Sequence, residues 1–351
     1  MSATEAPVLV EVRNRVGYLT LNRPAGLNAV TLPMVRLLHR QLQDWADDRD
    51  VVAVVLRAAG EKAFCAGGDI RMLYDSHLNG DSLRWDFFEE EYTLDQYIHA
   101  YAKPLLALMN GYVLGGGMGL VQGASLRVIS ERTRMGMPEV GIGYFPDVGG
   151  SYFLPRLPQN LGIYMGVTGN HVDAADALHA GLADHCVPHE RFAELQQRLD
   201  QQNWSVPTAE TLDALLASLA TDELPAASFA SLAPAIEQHF AHDNIPAIRE
   251  SLAGETRPEY RDWAVDTLKV IDSRSPLAVS VTLEMLRRGR ELSLADCFRM
   301  ELHLDRQWFD QGDIMEGVRA LIVDKDKNPR WNPPTLAEVT PQRIAGFFAG
   351  I

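Results

Sequence analysis

The sequence of 351 residues is poor in cysteine and in basic side chains. Its three cysteines, Cys65, Cys186 and Cys297, are odd in number and widely spaced, which argues against a disulfide framework and for a reducing compartment. The chain has 32 lysines and arginines against 47 aspartates and glutamates, a formal net charge of -15. Such a charge repels nucleic acid and anionic membrane surfaces, so we expect neither as a partner.

Long apolar runs are missing as well. No stretch approaches the roughly 20 apolar residues that a membrane-spanning helix needs. The first residues, MSATEAPVLVEV, lack the basic region followed by an apolar run that marks a secretory signal. With 46% hydrophobic and 23% charged residues, the composition is that of an ordinary globular protein. We therefore predict a cytoplasmic protein with either one large domain and an appendage or two domains.

Several familiar catalytic signatures are also absent. Neither G-x-G-x-x-G nor G-x-x-x-x-G-K-[ST] occurs, and there is no G-x-S-x-G elbow of a serine hydrolase. The segment HCVPH superficially resembles a metal cluster, but nothing pairs with His185, Cys186 and His189 at a structural-zinc spacing. Cys65, in AFCAGG, has no histidine nearby in sequence, so packing is a better interpretation than nucleophilic catalysis. We expect no metal and no redox cofactor.

The first 190 residues alternate between strand-like and helix-like segments. VLVEVR and YLTLN alternate around a turn and predict a β-hairpin, and Thr31 predicts the N-cap of a helix over LPMVRLLHRQLQDW. The apolar runs VVAVVL, PLLALM and LRVIS are typical of strands buried on both faces. This alternation predicts an α/β layered core over residues 1–190.

From about Pro188 the sequence changes from apolar, strand-like runs to segments with helical periodicity. RFAELQQRLDQQ, AETLDALLASLA and DCFRMELHLDRQWF have helical periodicity, which predicts a mostly helical region over residues 191–351. Residues 203–230 belong to a stretch rich in Ala, Ser, Pro and acids, and we expect the weakest order there. No internal repeat is present, so a solenoid is not indicated.

Two glycine clusters each follow an apolar strand and precede a predicted helix. They are FCAGGDI, with Gly67 and Gly68, and NGYVLGGGMGL, with three consecutive glycines. A backbone N–H at the start of a helix has no intrahelical acceptor and carries the positive end of the helix dipole. One N–H from each cluster would suit a thioester oxygen on which negative charge develops. The alternative is that the glycines only permit tight turns, but the presence of two clusters favours the site.

A third glycine-rich segment, MGMPEVGIGYFPDVGG, carries Glu139 and Asp147 and no basic residue. A carboxylate in an apolar, glycine-lined pocket is poorly solvated, so its pKa rises and it becomes a better base near neutral pH. A second acid facing the same cavity raises the pKa of one of the two further. The segment therefore predicts a coupled pair of acids.

Together these segments resemble a known superfamily. FCAGGDI, NGYVLGGGMGL and MPEVGIGYFPDVGG, in this order and spacing, resemble the enoyl-CoA hydratase/isomerase (crotonase) superfamily from about residue 8 to 190. FFEEEY, PEVGIGYFPDVGGSYFLPRL and EGVRALIVDKDKNPRW resemble its 3-hydroxyisobutyryl-CoA hydrolase branch and extend the match over nearly the whole chain. The resemblance implies an α/β fold, a ClpP-like spiral of ββα units, followed by a helical C-terminal region.

The resemblance also implies roles for individual residues. The N–H groups of Gly68 and Gly116 correspond to the oxyanion-hole donors. The two glutamates of the hydratases correspond to Gly119 and Glu139, so one member of the water-activating pair is missing. The hydrolase branch instead pairs Glu139 with Asp147. We expect Glu139 either to activate water or to attack the thioester directly and form a mixed anhydride, and Asp147 to bind the substrate's 3-hydroxyl.

Further positions are implied for substrate binding. Glu91, in FFEEEY, matches another acid of the hydrolase branch, although consecutive glutamates on a helix usually form a solvated face. Superfamily members bind CoA largely through main-chain groups, and the matching positions are Ala25, Leu27, Ala66 and Ile70. CoA is then part of the substrate and not a separate cofactor.

The implied activity is hydrolysis of a short 3-hydroxyacyl-CoA thioester, foremost 3-hydroxyisobutyryl-CoA of valine breakdown. One alternative is an enoyl-CoA hydratase or isomerase that uses Glu139 alone, and another is a non-catalytic acyl-CoA binder. Homo-oligomerisation through the C-terminal helices stays open, because this longer C-terminal region is equally suited to covering its own active site.

Overall fold

The computed structural model describes residues 6–204 and 208–351, which form two compact units. Unit 1 comprises the described residues of Met1–Asp69, Glu90–Met135 and Val172–Ala227. Unit 2 comprises Ile70–Glu89, Gly136–His171 and Ser228–Ile351. The units thus interleave along the chain, and the predicted domain division at residue 190 stays a prediction. Of the segment 203–230, for which we predict weak order, residues 205–207 lie outside the described residues.

The strands of the described residues are short and apolar. They are β1 (Val8–Arg13), β2 (Val16–Leu21), β3 (Ala53–Ala58), β4 (Ala63–Cys65), β5 (Leu105–Met109), β6 (Tyr112–Leu114), β7 (Leu126–Ile129), β8 (Arg134–Gly136) and β9 (His185–Cys186). A six-stranded sheet has the order β1-β2-β3-β5-β7-β9, in which β1 and β2 pair antiparallel and the later neighbours pair parallel. The predicted hairpin and the three predicted buried strands are confirmed.

Sixteen α-helices lie in the described residues. They are α1 (Leu32–Asp47), α2 (Ile70–Asn79), α3 (Leu83–His99), α4 (Gly116–Gln122), α5 (Gly150–Phe153), α6 (Leu161–Thr168), α7 (Ala174–His179), α8 (Phe192–Gln201), α9 (Thr208–Leu219), α10 (Ser228–His239), α11 (Ile245–Ala253), α12 (Pro258–Asp272), α13 (Pro276–Gly289), α14 (Leu294–Gln311), α15 (Ile314–Val318) and α16 (Pro341–Phe347). The four segments predicted to be helical by their periodicity form α1, α8, α9 and α14, and twelve further helices are present in the described residues. Thr31 stands at the N-cap of α1, as predicted, but its side chain makes no capping hydrogen bond. Within the described ranges, no helix combines the length and apolarity needed to cross a bilayer.

The core of unit 1 lies between one face of the large sheet and two helices. Alternate residues of β2, β3, β5 and β7 meet leucines of α8 and α9: Val16, Tyr18, Ala53, Val55, Leu106, Val128, Leu195, Leu199, Leu212, Leu216 and Leu219. The strand residues share a face because strands have a period of two, and the leucines share one because they recur every three or four residues. Each such burial contributes roughly 1.5–3 kcal/mol.

A second, three-stranded sheet places the two glycine clusters. Its order is β4-β6-β8, and β4 and β6 run parallel. FCAGG leaves the end of β4, and LGGG leaves the end of β6 and leads into α4. Parallel neighbours bring their carboxyl ends to the same edge of a sheet, so the two clusters become neighbours.

Unit 2 is largely helical and is packed around α6. All eight residues of α6 are buried, and the helix contacts α10, α12 and α13. One face of α14 is also buried, with Cys297, Phe298, Met300, Glu301, Leu304, Asp305, Trp308 and Phe309. A carboxylate at two of these positions is unusual on a buried face and marks α14 as more than a packing element.

Candidate active site

Gly68 and Gly116 bring two backbone N–H groups close together in unit 1. Val30 N donates to Gly67 O at 2.9 Å, and Asp69 N donates to Val30 O at 2.8 Å, so Gly68 is held in a parallel bridge with Val30. Gly116 is the first residue of α4 and has no helical acceptor for its N–H. Among the backbone hydrogen bonds of turns, loops and caps in the described residues, neither N–H is a donor.

The need for glycine at position 116 is a need for space. A Cβ built on Gly116 would stand 3.2 Å from Gly68 N and 2.9 Å from Glu91 Oε1. Gly67 and Gly115 have positive φ values of 110° and 50°, so tight turning explains those two glycines. The φ of Gly116 is not positive, so a tight turn does not explain why glycine occupies this position. A side chain at position 116 would therefore crowd both Gly68 N and the Glu91 carboxylate.

Glu91 faces this pair of glycines. The side chains of its neighbours Glu89 and Glu90 are 54% and 36% exposed, whereas Glu91 is only 2% exposed. Its Oε1 is the atom nearest to the Cβ position of Gly116. Glu91 therefore does not belong to a solvated helix face, although helical spacing alone allowed that interpretation.

Cys65 is a packing residue, as the sequence predicts. Its side chain is fully buried, and its thiol donates to Gly67 O at 3.5 Å. Burial, together with the charges of Glu91 and Asp95, raises the pKa of the Cys65 thiol to about 12. Because the thiolate is the nucleophilic form, Cys65 is unreactive near neutral pH.

Glu139 and Asp147 lie together in unit 2. Glu139 opens a 3-10 turn, Glu139–Ile142, and is 8% exposed, while Asp147 is 6% exposed. Burial, and then the charge of Asp147, raise the pKa of Glu139 well above its ordinary value. Its Oε2 is buried without a hydrogen-bond partner among the described residues. The pair has the electrostatic coupling that suits a base working near neutral pH.

The position of the second hydratase glutamate carries no side chain. Gly119 is buried inside α4 and places no acid there. Glu139 is therefore the only acid at the two positions that resemble the hydratase pair. A mechanism that needs two glutamates to hold water lacks one of them in this chain.

Glu301, which sequence reasoning missed, supports the segment that follows Asp147. Its Oε2 accepts from Gly149 N at 2.8 Å, and its Oε1 accepts from Ser151 N at 2.9 Å and Ser151 Oγ at 2.5 Å. Burial and, to a smaller extent, the charge of Asp147 outweigh the opposing effect of these hydrogen bonds and raise the pKa of Glu301 to about 8. The available signal was two acids, Glu301 and Asp305, on the apolar face of a helix.

The residues expected to bind CoA lie in both units. In unit 1, Ala66 N donates to Leu27 O at 3.0 Å, so these two predicted positions adjoin. Ala25 and Leu27 are exposed on a loop whose shape is held by the buried Asn28 side chain, which donates to Ala59 O and Ala63 O. Ile70 is the first residue of α2, in unit 2. Their role in binding CoA stays a prediction.

The histidines of HCVPH are engaged elsewhere. His185 Nε2 lies 3.1 Å from Asp213 Oδ1, and His189 Nε2 lies 2.9 Å from Glu61 Oε2. Cys186 is buried. Over residues 6–204 and 208–351, no group of three or more potential ligands is arranged to hold a metal ion.

Comparison with known proteins places this geometry in a family. The sequence model of the enoyl-CoA hydratase/isomerase family matches residues 16–348. A mitochondrial 3-hydroxyisobutyryl-CoA hydrolase of Xenopus tropicalis is 39% identical over 95% of this chain and 86% of its own length.

Two crystal structures share the fold over the whole chain. A carnitinyl-CoA dehydratase from Mycobacterium thermoresistibile has a TM-score of 0.90 and 38% identity, covering 99% of this chain and 97% of its own. An enoyl-CoA hydratase from Rhodobacter sphaeroides 2.4.1 has a TM-score of 0.87 and 35% identity, covering 98% of this chain and 97% of its own. The predicted crotonase fold with a helical C-terminal region is confirmed, and the chain belongs to the enoyl-CoA hydratase/isomerase family.

Proposed function

We propose that this chain hydrolyses the thioester of a short 3-hydroxyacyl-CoA, foremost 3-hydroxyisobutyryl-CoA, to the free hydroxy acid and CoA. The observation that carries the proposal is the buried pair in unit 2, in which burial, and then the charge of Asp147, raise the pKa of Glu139. The glycine at position 119 counts against hydration across a double bond. The name of the Xenopus tropicalis relative supports the substrate.

Gly68 and Gly116 supply the electrostatic part of the mechanism. Their N–H groups donate to the thioester oxygen as it gains negative charge when the carbonyl carbon is attacked. A donor of this kind typically contributes about 3 kcal/mol of transition-state stabilisation. Glycine at position 116 supports this role, since a Cβ there would stand only 3.2 Å from Gly68 N.

Glu139 drives the attack in one of two ways. As a base it takes a proton from water, the water oxygen bonds to the acyl carbon, the C–S bond breaks, and the proton passes to the CoA sulfur. As a nucleophile it bonds to the acyl carbon itself, CoA leaves, and water then opens the mixed anhydride. Both routes require the ionised carboxylate of Glu139.

Asp147 and Glu91 select and hold the acyl part. Asp147 accepts a hydrogen bond from the 3-hydroxyl group, and Glu91, beside Gly116, contributes to the wall near the reacting carbonyl. Main-chain groups at Ala25, Leu27, Ala66 and Ile70 bind CoA. CoA is a portion of the substrate, and the reaction uses no metal or redox cofactor.

A second candidate is hydratase or isomerase chemistry on an enoyl-CoA. It is favoured by the names of the two similar crystal structures, a dehydratase and a hydratase. In this reaction Glu139 alone moves a proton at the α-carbon. The absence of an acid at Gly119 makes this the weaker candidate.

One pair of assays separates the candidates. A thiol reagent reports CoA released from 3-hydroxyisobutyryl-CoA, and the conjugated-enoyl absorbance reports hydration of crotonyl-CoA. We expect CoA release with little loss of enoyl absorbance. The opposite result would establish the second candidate, and a chain that binds acyl-CoA but is inert in both assays would be a non-catalytic binder.

We propose a place in valine degradation, where 3-hydroxyisobutyryl-CoA arises, and a cytoplasmic location. The location is the weaker part, because the Xenopus tropicalis relative is named as mitochondrial. Cell fractionation decides it, and recovery in an organelle fraction would refute the cytoplasmic prediction. Light scattering on the purified chain would determine its oligomeric state.

A further inference from the structure

The backbone after Asp147 adopts an unusual conformation. Val148 and Gly149 have positive φ values of 50° and 84°, and a β-branched residue rarely occupies that region. Such a conformation persists only when the surrounding structure fixes it. The segment therefore needs a partner that holds it in place.

Glu301 is that partner. Its carboxylate is fully buried and accepts all three hydrogen bonds described above, from the backbone N–H groups of Gly149 and Ser151 and from the Ser151 hydroxyl. These donors flank Gly150, the first residue of α5, and one of them belongs to Gly149, the second of the two residues with positive φ. The acid comes from α14, 150 residues further along the chain.

Two more side chains of α14 hold the segment before Asp147. The Tyr144 hydroxyl donates to Asp305, and Trp308 Nε1 donates to Gly143 O at 2.8 Å. Positions 301, 305 and 308 share one face of a helix because they are four and three residues apart. This face of α14 therefore contacts the chain on both sides of Asp147.

We propose that Glu301 is a positioning residue for Asp147: it holds Val148 to Ser151 in the conformation that presents the Asp147 carboxylate, and turnover depends on it without contact to substrate. This inference rests on the proposed hydroxyl-binding role of Asp147. Because Glu301 acts through Asp147, its loss affects the same property, namely the preference for a 3-hydroxyacyl over a plain acyl thioester.

The test is Glu301→Gln, measured on 3-hydroxyisobutyryl-CoA and on isobutyryl-CoA. The amide has one accepting oxygen, and its NH₂ group faces an N–H or O–H donor, so the three hydrogen bonds cannot all form. We expect kcat/KM on the hydroxyacyl substrate to fall by about 100-fold, as for a displaced positioning contact, with a smaller fall on isobutyryl-CoA. Ser151→Ala removes only the hydroxyl donor and should give a smaller loss in the same direction.

A double-mutant cycle separates positioning from general support. In an Asp147→Asn background, Glu301→Gln should cause little further loss, because residues that act through one group are not additive. Ser275→Ala is the control. Ser275 is buried at the N-cap of α13, donates to Asp313 and accepts from Ala278 N, so its loss should lower the Tm without changing the substrate preference.

The outcomes are distinct. Equal losses on both substrates, or fully additive losses in the cycle, would overturn the positioning role while leaving the hydrolase activity standing. An unmodified protein that releases no CoA would overturn the proposed function and the inference together. If Glu301→Gln does not fold, the folded Ser151→Ala variant decides by the same ratio of the two substrates.

Discussion

Substituting alanine for Gly116 tests the pair of backbone donors in unit 1. The added methyl group would stand 3.2 Å from Gly68 N. A carbonyl oxygen held by such a donor lies about 2.7–3.1 Å from the nitrogen, so methyl and oxygen compete for one volume. The side chain of Glu91, at 2.9 Å, would also have to move.

The expected effect is on turnover and much less on stability. Losing one donor costs about 3 kcal/mol of transition-state stabilisation, which corresponds to a fall in kcat of about 100- to 1,000-fold. Overpacking of one methyl group against a side chain costs roughly 1–3 kcal/mol of unfolding free energy, which a folded domain tolerates. CoA release measures the first quantity, and thermal unfolding measures the second.

Gly346→Ala is the matched control. Nothing lies within 4 Å of the Cβ position at Gly346, which is inside α16. We expect this variant to keep its kcat and to be slightly stabilised, because alanine is the better helix former. A folded Gly116→Ala variant with a kcat close to that of the unmodified chain would refute the reasoning, since no oxygen could then depend on that volume.

Three further predictions concern the acids of unit 2. Glu139→Gln should abolish CoA release while leaving CoA affinity roughly intact, and calorimetry with CoA checks the second half; undiminished release would remove Glu139 from the mechanism. Asp147→Gly should lower kcat/KM for 3-hydroxyacyl substrates more than for plain acyl ones, and equal losses would contradict its binding to the hydroxyl. Burial raises the pKa of Glu301 to about 8, above the ordinary 4.5, so the folded state binds more protons than the unfolded state between these values. Its contribution to unfolding free energy is then fully present below about pH 4.5 and is lost as the pH rises through about 8. Denaturant titrations at several pH values between 4.5 and 8 should show that the unfolding free energy falls less steeply with pH for Glu301→Gln than for the unmodified chain. An identical pH dependence of the two proteins would count against the raised pKa of Glu301.

Local sequence was sufficient for three strands of the large sheet, but not for β4 and β6, the short strands that lead into the glycine donors. The apolar runs VVAVVL, PLLALM and LRVIS identified β3, β5 and β7, because strands buried on both faces are largely apolar. Glycines at strand ends marked the turns, since few other residues adopt positive φ. The composition of MPEVGIGYFPDVGG was enough to anticipate the raised pKa of Glu139.

Tertiary contacts decided the rest. Glu89, Glu90 and Glu91 are chemically identical in sequence, and only the packing of α3 determines that Glu91 is the buried one. Glu301 was missed because its partners lie 150 residues away, where no local pattern connects them. The interleaving of the two units could not be predicted either. Changes in composition and periodicity along the chain do not show which segments fold together.

The interleaving has a consequence during synthesis. α6 is apolar and entirely buried, yet its neighbour α13 begins at Pro276, more than 100 residues after α6 ends at Thr168. At roughly 5–20 residues per second, a ribosome needs on the order of 5–20 s to make that interval. α10 and α12 are made within that interval, but the side of α6 that packs against α13 lacks this partner until its end. We expect nascent chains to expose this apolar surface in the meantime, and therefore to recruit trigger-factor-like or Hsp70-type chaperones until α13 has been made.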